Sequence, residues 1–487
     1  MKVIRNKLVL LKLNYSQMPK EVKASAWYLA CNLVQNAVSF VTIPIYVKSL
    51  TAAEYGKYSV FLSWKDILLI FATLNLYYGF YTKAMVDHPD KKDLYTSCMQ
   101  GLSTIVTLVC IGGYFLFKNL ADKILKLDSK TICLLFAYFL FFPAFSFWQA
   151  RQKVEYRYKA FFLISTIVNL IYPVISIILL QYTPLRERAV IWGYLGTHII
   201  VGMFFYFYQM IKGRSFFHIN YWRYALQFNL PLVPHYLSVI VLGQVDRIMI
   251  QRYCGDAKAG IYSLAYQIAG IINIFIMAIN ASLVPWIYTK LKEKKYSEIA
   301  GYTQKFCMLV GGVALPAILI SPELILIIGN VEYLEAIWII PSVTLGTYFV
   351  FCYGLFSAVE FYFGYTKFVS IASIAGAILN VVLNGLLIPF LGYIMAGYTT
   401  LLCYLFFAIV HYLFMKQICR KEHILCELYN IRFMGIFSIL ICVLAFGEML
   451  LYEWTYLRYI FITFCCFIVW KKRHKLIGLV MSEKENN

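Results

Sequence analysis

The sequence predicts an all-α polytopic membrane protein with about fourteen transmembrane helices. Three observations lead there. Hydrophobic residues make up 61% of the 487 positions and charged residues only 14%, against roughly 45–50% and about 25% in soluble chains. Mean hydropathy is +0.69. The apolar residues fall into runs long enough to cross a bilayer, about 20 residues each, joined by connections of mostly about 6 to 20 residues. So few charges do not cover a soluble globule of this size. A soluble enzyme, a secreted disulfide scaffold and a disordered chain are excluded.

In chain order, the expected spans are 25–47, 58–81, 96–118, 131–149, 160–181, 189–211, 228–250, 259–288, 306–328, 336–363, 368–390, 393–415, 433–451 and a short one at 455–470. Residues 1–24 are basic. Within them 3–13 reads either as an amphipathic helix on the membrane surface or as an ordinary basic flank. The first apolar run lacks a small-residue cleavage pattern, so it is expected to stay as the first span.

Lys and Arg number 44 and Asp and Glu 24, a formal charge of +20. In a soluble chain that excess suggests nucleic acid. Here it sorts by loop, with about 31 basic residues on one side and about 12 on the other. Cytoplasmic loops are the Lys/Arg-rich ones, so both termini are expected in the cytoplasm and nucleic acid is not a partner. The strongest anchors are 151–159, 290–295 and 471–475. The 13 cysteines are scattered through apolar runs without zinc-like spacing, so neither a metal nor a cofactor is expected.

An internal repeat is visible. A gap-free shift of 204 residues lays 43–59 on 247–263 and pairs Ala53 with Ala257, Gly56 with Gly260, Tyr58 with Tyr262 and Ser59 with Ser263. Both segments join one span to the next, six spans apart, so the copies share topology. Parallel repeats of this kind place the halves about an axis along the membrane normal, with spans 1–2 expected to face spans 7–8 across a cavity.

Four stretches resemble one family. LTAAEYGKYSVF at 50–61 and NLPLVPHYLSVIVLGQVDRIMIQRYCGDAKAGIYSLAY at 229–266 are similar to segments of polysaccharide-unit flippases. IIGNVEYLEAIWIIP at 327–341 is similar to their glycine–tyrosine–alanine segment. In 366–404, Asn380, Asn384, Pro389, Gly392 and Gly397 fall where the family has them. The chain thus resembles the Wzx-like, O-antigen-type oligosaccharide flippases of the polysaccharide transporter family, in the multidrug/oligosaccharidyl-lipid/polysaccharide exporter superfamily. The resemblance implies two six-helix lobes in a pseudo-twofold arrangement plus two C-terminal helices. It gives an N-lobe at 25–211, a cytoplasmic linker at 212–227, a C-lobe at 228–416, a loop with the last two helices at 417–470, and a cytoplasmic tail at 471–487. It also implies flipping of undecaprenyl-pyrophosphate-type lipid-linked oligosaccharides across the bacterial inner membrane. Partners would be a polysaccharide polymerase and a chain-length regulator.

Ionisable and polar groups inside spans are costly and mark cavities or partners. Lys65 and Asp66 lie in span 2; adjacent residues point about 100° apart, so they are not expected to neutralise each other. Ser59, Ser63, Asp66, Thr73 and Tyr77 form a polar stripe that reads as a cavity wall or as a helix–helix contact. Span 7 carries His235, Gln244, Asp246 and Arg247. Arg247 suits a phosphate, which it grips through two parallel hydrogen bonds, or pairs structurally with Asp246. In span 8, Tyr266, Asn273 and Asn280 repeat every seven residues and suit sugar contact or helix packing. Glu360 reads as an ion-coupling carboxylate or as an interfacial residue. Asn380 and Asn384 read as inter-helix hydrogen bonders, and the other histidines as ordinary core residues.

Hydrolase, metalloprotease and nucleotide-binding motifs are absent from the sequence, so the expectation is a transporter rather than an enzyme. The alternatives are a cation-coupled drug antiporter of the same superfamily and, in a different class, a membrane polysaccharide polymerase. Reporter fusions at 121–129 and 183–188 are expected to read periplasmic, and those at 151–158 and 291–299 cytoplasmic. Reversed signals at these four loops would reject the orientation.

Overall fold

A computed structural model gives the fold and describes residues 18–424, 426–463 and 471. Among them the regular structure is helical, without strands. The first part of the chain forms α1 (Lys20–Ser49), α2 (Ala52–Thr73), α3 (Phe80–Asp87), α4 (Lys92–Leu116), α5 (Lys118–Leu125), α6 (Ser129–Val154), α7 (Tyr158–Tyr182), α8 (Glu187–Gly213) and α9 (Ile219–Asn229). Then follow α10 (Val233–Cys254), α11 (Asp256–Lys292), α12 (Tyr296–Leu319), α13 (Ser321–Ile328), α14 (Ile340–Tyr362), α15 (Thr366–Leu391), α16 (Met395–Lys421) and α17 (Ile431–Met449).

Twelve of these segments are long and apolar enough to cross a membrane, and each overlaps an expected span. The protein is a multi-pass membrane protein. The expected second span corresponds to α2, which falls short on composition because it carries Glu54, Lys57, Lys65 and Asp66. Its 22 residues still reach about 33 Å, enough for the hydrocarbon core. The fourteenth is helical over 455–463, and its remainder lies outside the described residues. So do the basic stretch 3–13 and the tail beyond Lys471.

The helices depart from the expected spans at three breaks. Span 2 was expected to run to 81, but α2 ends at Thr73. Leu74 and Asn75 take φ of 49° and 52°. The Thr73 hydroxyl bonds back to the Leu69 carbonyl and also accepts from the Asn75 amide. This local side-chain bonding competes with helix continuation, so Tyr77 leaves the helix that carries the polar stripe. Span 7 is preceded by α9, which occupies most of the expected linker. A 3-10 turn at Leu230–Leu232 joins it to α10, where Pro231, lacking an N–H, is tolerated. Span 9 is two helices, because Pro322 opens α13 in its first turn.

The chain divides into two compact units, residues 1–50 with 60–237 and residues 51–59 with 238–487. In the first, α8 packs along α6 and α7. In the second, α14 is enclosed by α16, α11, α12 and α17. It is buried all round, with eighteen of its 23 residues inside, as expected of a helix apolar on every face.

The start of α2 is built into the second unit. Thr51 and Glu54 form a reciprocal capping box: the Thr51 amide donates to Glu54 Oε2 at 2.8 Å and the Glu54 amide to Thr51 Oγ1 at 3.3 Å. The Ala52 amide donates to Glu332 Oε1 at 3.0 Å. The first orphan donors of the helix are thereby satisfied. Gly56 and Gly260, the glycines paired by the repeat, lie backbone to backbone. A methyl on Gly56 would sit 1.9 Å from the Asp256 carbonyl oxygen, and one on Gly260 2.1 Å from that of Ala52. At their first turns the two repeat segments touch, with no cavity between them. Gly56→Ala and Gly260→Ala are each expected to cost at least about 3 kcal/mol, the upper end of overpacking. The check is the thermal midpoint of detergent-solubilised protein by size-exclusion chromatography. A midpoint equal to wild type for both would refute the close packing.

Candidate functional site

In the first unit, α2 buries Lys65 and half-buries Asp66. Contrary to expectation the neighbours do pair, Lys65 Nζ lying 2.9 Å from Asp66 Oδ1. A lysine stem is long enough to bend back over the 100° between adjacent side chains. The ammonium also donates to Tyr194 Oη at 3.1 Å and stands 4.8 Å from the Tyr194 ring centroid. The Tyr194 ring lies in turn against His198, at 4.3 Å between centroids and tilted by 36°. The result is a buried cation held by one carboxylate and an aromatic wall from α6 and α8. His235 also belongs to this unit, half-buried beside Tyr236 at the start of α10.

In the second unit, α10 buries Asp246 completely. Its carboxylate accepts from Tyr262 Oη at 2.6 Å, Asn384 Nδ2 at 2.6 Å and Thr400 Oγ1 at 2.8 Å. These donors come from α11, α15 and α16, so one carboxylate ties three helices to a fourth. Asn384 also donates to Asn380 Oδ1 and accepts from Thr399, the inter-helix role expected of it. Thr399 and Thr400 had no sequence signal beyond lying in a family-like stretch.

Arg247 takes a different environment from its neighbour. Its Nη1 donates to the Gly243 carbonyl at 2.8 Å and to Gln244 Oε1 at 3.1 Å. The guanidinium carbon lies 4.6 Å from the Tyr266 ring centroid, a favourable cation–π distance. Among the described residues no carboxylate lies within ion-pair distance of Arg247, and its Nε and Nη2 have no protein partner. Those two nitrogens form the edge that grips a phosphate or carboxylate in parallel.

Thus Gln244, Arg247 and Tyr266 come together, and Asp246 stands in its own network. Asn273 and Asn280 are half-buried further along α11. Asn280 is fourteen residues, about 21 Å, beyond Tyr266, so the three share a face but not a site. Glu360 lies apart from them, two residues before the end of α14. It is fully buried against His411, a core histidine with a carboxylate partner that its sequence position did not announce.

The four family-like stretches converge in this unit. Asp246 and Tyr262 of the second bond Asn384 and Thr400 of the fourth. Gly56 of the first packs on Gly260 of the second. Tyr55 of the first meets Tyr333 of the third edge-on at 6.3 Å. Glu335 of the third accepts from Lys258 and Tyr393, and these bonds hold its carboxyl below the usual range. The profile of the polysaccharide biosynthesis protein family matches residues 22–290, more than half of the chain. The chain belongs to this family. A profile for MatE transporters also matches residues 231–386.

Two Haemophilus influenzae proteins are similar to this family member. One is described as "Lsg locus putative protein 1", 26% identical over 74% of this chain and 90% of its own. The other, an uncharacterized membrane protein, is 23% identical over 77% and 92%. Among solved structures, an inward-facing multidrug resistance transporter of the MATE family and MOP superfamily aligns with a TM-score of 0.62 at 13% identity, covering 81% of this chain and 96% of its own. The lipid II flippase MurJ, in an inward closed conformation, aligns at 0.60 and 13%, covering 88% and 99%. The chain thus has a fold like those of the MATE transporter and MurJ. Asn384→Leu would leave a buried carboxylate short of one donor, a loss of roughly 1–3 kcal/mol. A lower thermal midpoint of the solubilised variant, with Asn380→Leu closer to wild type, checks the assignment; equal stability of Asn384→Leu and wild type would refute it.

Proposed function

We propose that this protein is a flippase for polyprenyl-pyrophosphate-linked oligosaccharide repeat units. It would work by alternating access in the bacterial inner membrane, with both termini cytoplasmic, and serve O-antigen, capsule or exopolysaccharide synthesis. The observation that carries the proposal is Arg247, a guanidinium within the span with two unpartnered N–H-bearing nitrogens and no ion-pairing carboxylate. A structural arginine at this depth would need an anion of its own, since an unpaired buried charge is costly. A pyrophosphate supplies one and takes the bidentate geometry. Tyr266 and Gln244 beside it add a ring face and an amide, suited to the adjoining sugar. Membership of the polysaccharide biosynthesis family supports the same reading. A cavity selecting cationic drugs would instead favour unpaired carboxylates, whereas Asp246 is saturated with donors and Asp66 is paired with Lys65.

In a strain making one known surface polysaccharide, deletion should leave lipid-linked single units on the inner face and no polymer outside. Unpolymerised units outside would point to a polymerase instead. Arg247→Ala should reduce surface polymer about tenfold or more at normal protein abundance, the scale of losing charge-assisted hydrogen bonds. Lys65→Ala should reduce it too, and Lys65→Arg should retain more activity than Ala. Blots of surface polymer and of membrane protein check both. Full export by both alanine variants at normal abundance would refute the proposal; loss of the protein itself would assign these charges to helix packing.

A further inference from the structure

The second unit holds another buried acid that anion binding does not use. Glu360 has no exposed surface and His411 is 2% exposed. Nδ1 of His411 lies 3.0 Å from each carboxylate oxygen of Glu360. Among the described residues neither has a Lys or an Arg within ion-pair distance. Tyr353 of α14 stacks on the imidazole, ring centroids 5.3 Å apart and 21° from parallel. Phe407 of α16 closes another side at 6.1 Å.

The described side chains that cluster with Tyr353 and Phe407 are uncharged. α10 and α15 contribute Leu242, Ala372, Leu379 and Leu383. α16 adds Cys403, Tyr404 and Tyr412, and α11 adds Tyr266 beside Tyr404. α12 contributes Cys307, and the segment before α17 contributes Tyr429, whose hydroxyl donates to the Leu355 carbonyl. Phenols and thiols are neutral near pH 7. The charge state of the pair is therefore decided by the pair itself.

Electroneutrality fixes that state. A carboxylate beside a neutral imidazole leaves one uncompensated negative charge away from water, and a doubly protonated pair leaves one positive charge. A single shared proton makes the pair neutral, as carboxylate with imidazolium or as acid with imidazole. Replacing such a pair with apolar side chains is often neutral or stabilising, so packing alone does not account for it. Intramembrane acid–base pairs are a feature of proton relays.

We infer that Glu360 and His411 form a proton-binding site that couples transport to a proton gradient. This rests on the transport reading above and names its coupling ion. One proton is taken from water on one side, held jointly, and returned to water on the other. α16 carries both the partner of Glu360 and a donor to Asp246. Thr400, Tyr404, Phe407 and His411 recur every three or four residues on one face, and Thr400 is bonded to Asp246. That face runs about 16 Å between the two buried carboxylates.

The test uses full-length protein in phospholipid vesicles and has two arms. In pH-difference infrared spectra, the carbonyl band of a protonated carboxylic acid should titrate in wild type and be lost in Glu360→Gln. In His411→Asn its pH dependence should change, because the base that shares the proton is gone. The double variant Glu360→Gln/His411→Asn keeps the volume and the packing as a folding control. A band that survives Glu360→Gln, or that His411→Asn leaves in place, overturns the site. In the second arm, flipping of a polyprenyl-pyrophosphate-linked sugar should change several-fold with the imposed pH gradient in wild type and be indifferent to it in Glu360→Gln. Gradient-insensitive flipping by wild type overturns the coupling. If wild type flips nothing, the flippase reading fails, and the infrared arm alone decides the proton site.

Discussion

The second unit depends on how one carboxylate is kept out of water. Asp246 is fully buried, and an unsatisfied charge there would cost several kcal/mol. Three hydrogen bonds from three helices replace its hydration. The same bonds fix the relative heights of α10, α11, α15 and α16, because each donor is useful only at one register. With α10 and α11 so fixed, the first turn of α11 offers Gly260 to α2, and the backbone contact between α2 and α11 follows. Arg247, one residue on from Asp246, is turned by about 100° toward Tyr266. The donor-rich acid and the anion-ready base are therefore two consequences of one helix position.

Much of this fold was legible in the sequence because lipid imposes a single strong rule. Runs of about 20 apolar residues must be helices, and twelve such helices are found where those runs lie. The repeat was legible for a different reason. Gly56 and Gly260 lack side chains because each sits on the other's backbone, so a steric demand is written as an identity at matching positions. The breaks were less legible. The end of α2 at Thr73 is set by a hydroxyl that bonds in both directions, which leaves no mark in hydropathy. The two-piece structure of span 9 rests on Pro322, one residue that hydropathy averages away.

The candidate site was legible by type and not by pairing. Lys65, Asp246, Arg247 and Glu360 stand out as charges in apolar runs, but helical periodicity gives only the direction of a Cβ. It predicted separation for Lys65 and Asp66, where a flexible four-carbon stem closes the gap. It had no means of finding the partner of Glu360, since His411 is 51 residues away on another helix. Thr400, a donor to Asp246, is a common residue in a common place. Pairings of this kind are set by tertiary packing, above all by the enclosure of α14, which removes water as an alternative partner.

The intramembrane charges sort by how completely the protein itself answers them. Lys65 has a carboxylate, a phenol and a ring; Asp246 has three donors; Glu360 has an imidazole. Each of these has its counter-groups within the protein. Arg247 is the exception, since Gly243 and Gln244 take only one of its nitrogens and the Tyr266 ring only its face. A guanidinium so held is oriented before any ligand arrives, and little conformational freedom remains to be lost when an anion binds. On the flippase proposal its open edge would set the selectivity. A carboxylate or a phosphate fits it in plane, whereas a cationic or neutral amphiphile leaves the same nitrogens unpaired and meets repulsion or nothing. On the flippase proposal, discrimination of anionic head groups from other amphiphiles would follow from this one incompletely answered charge.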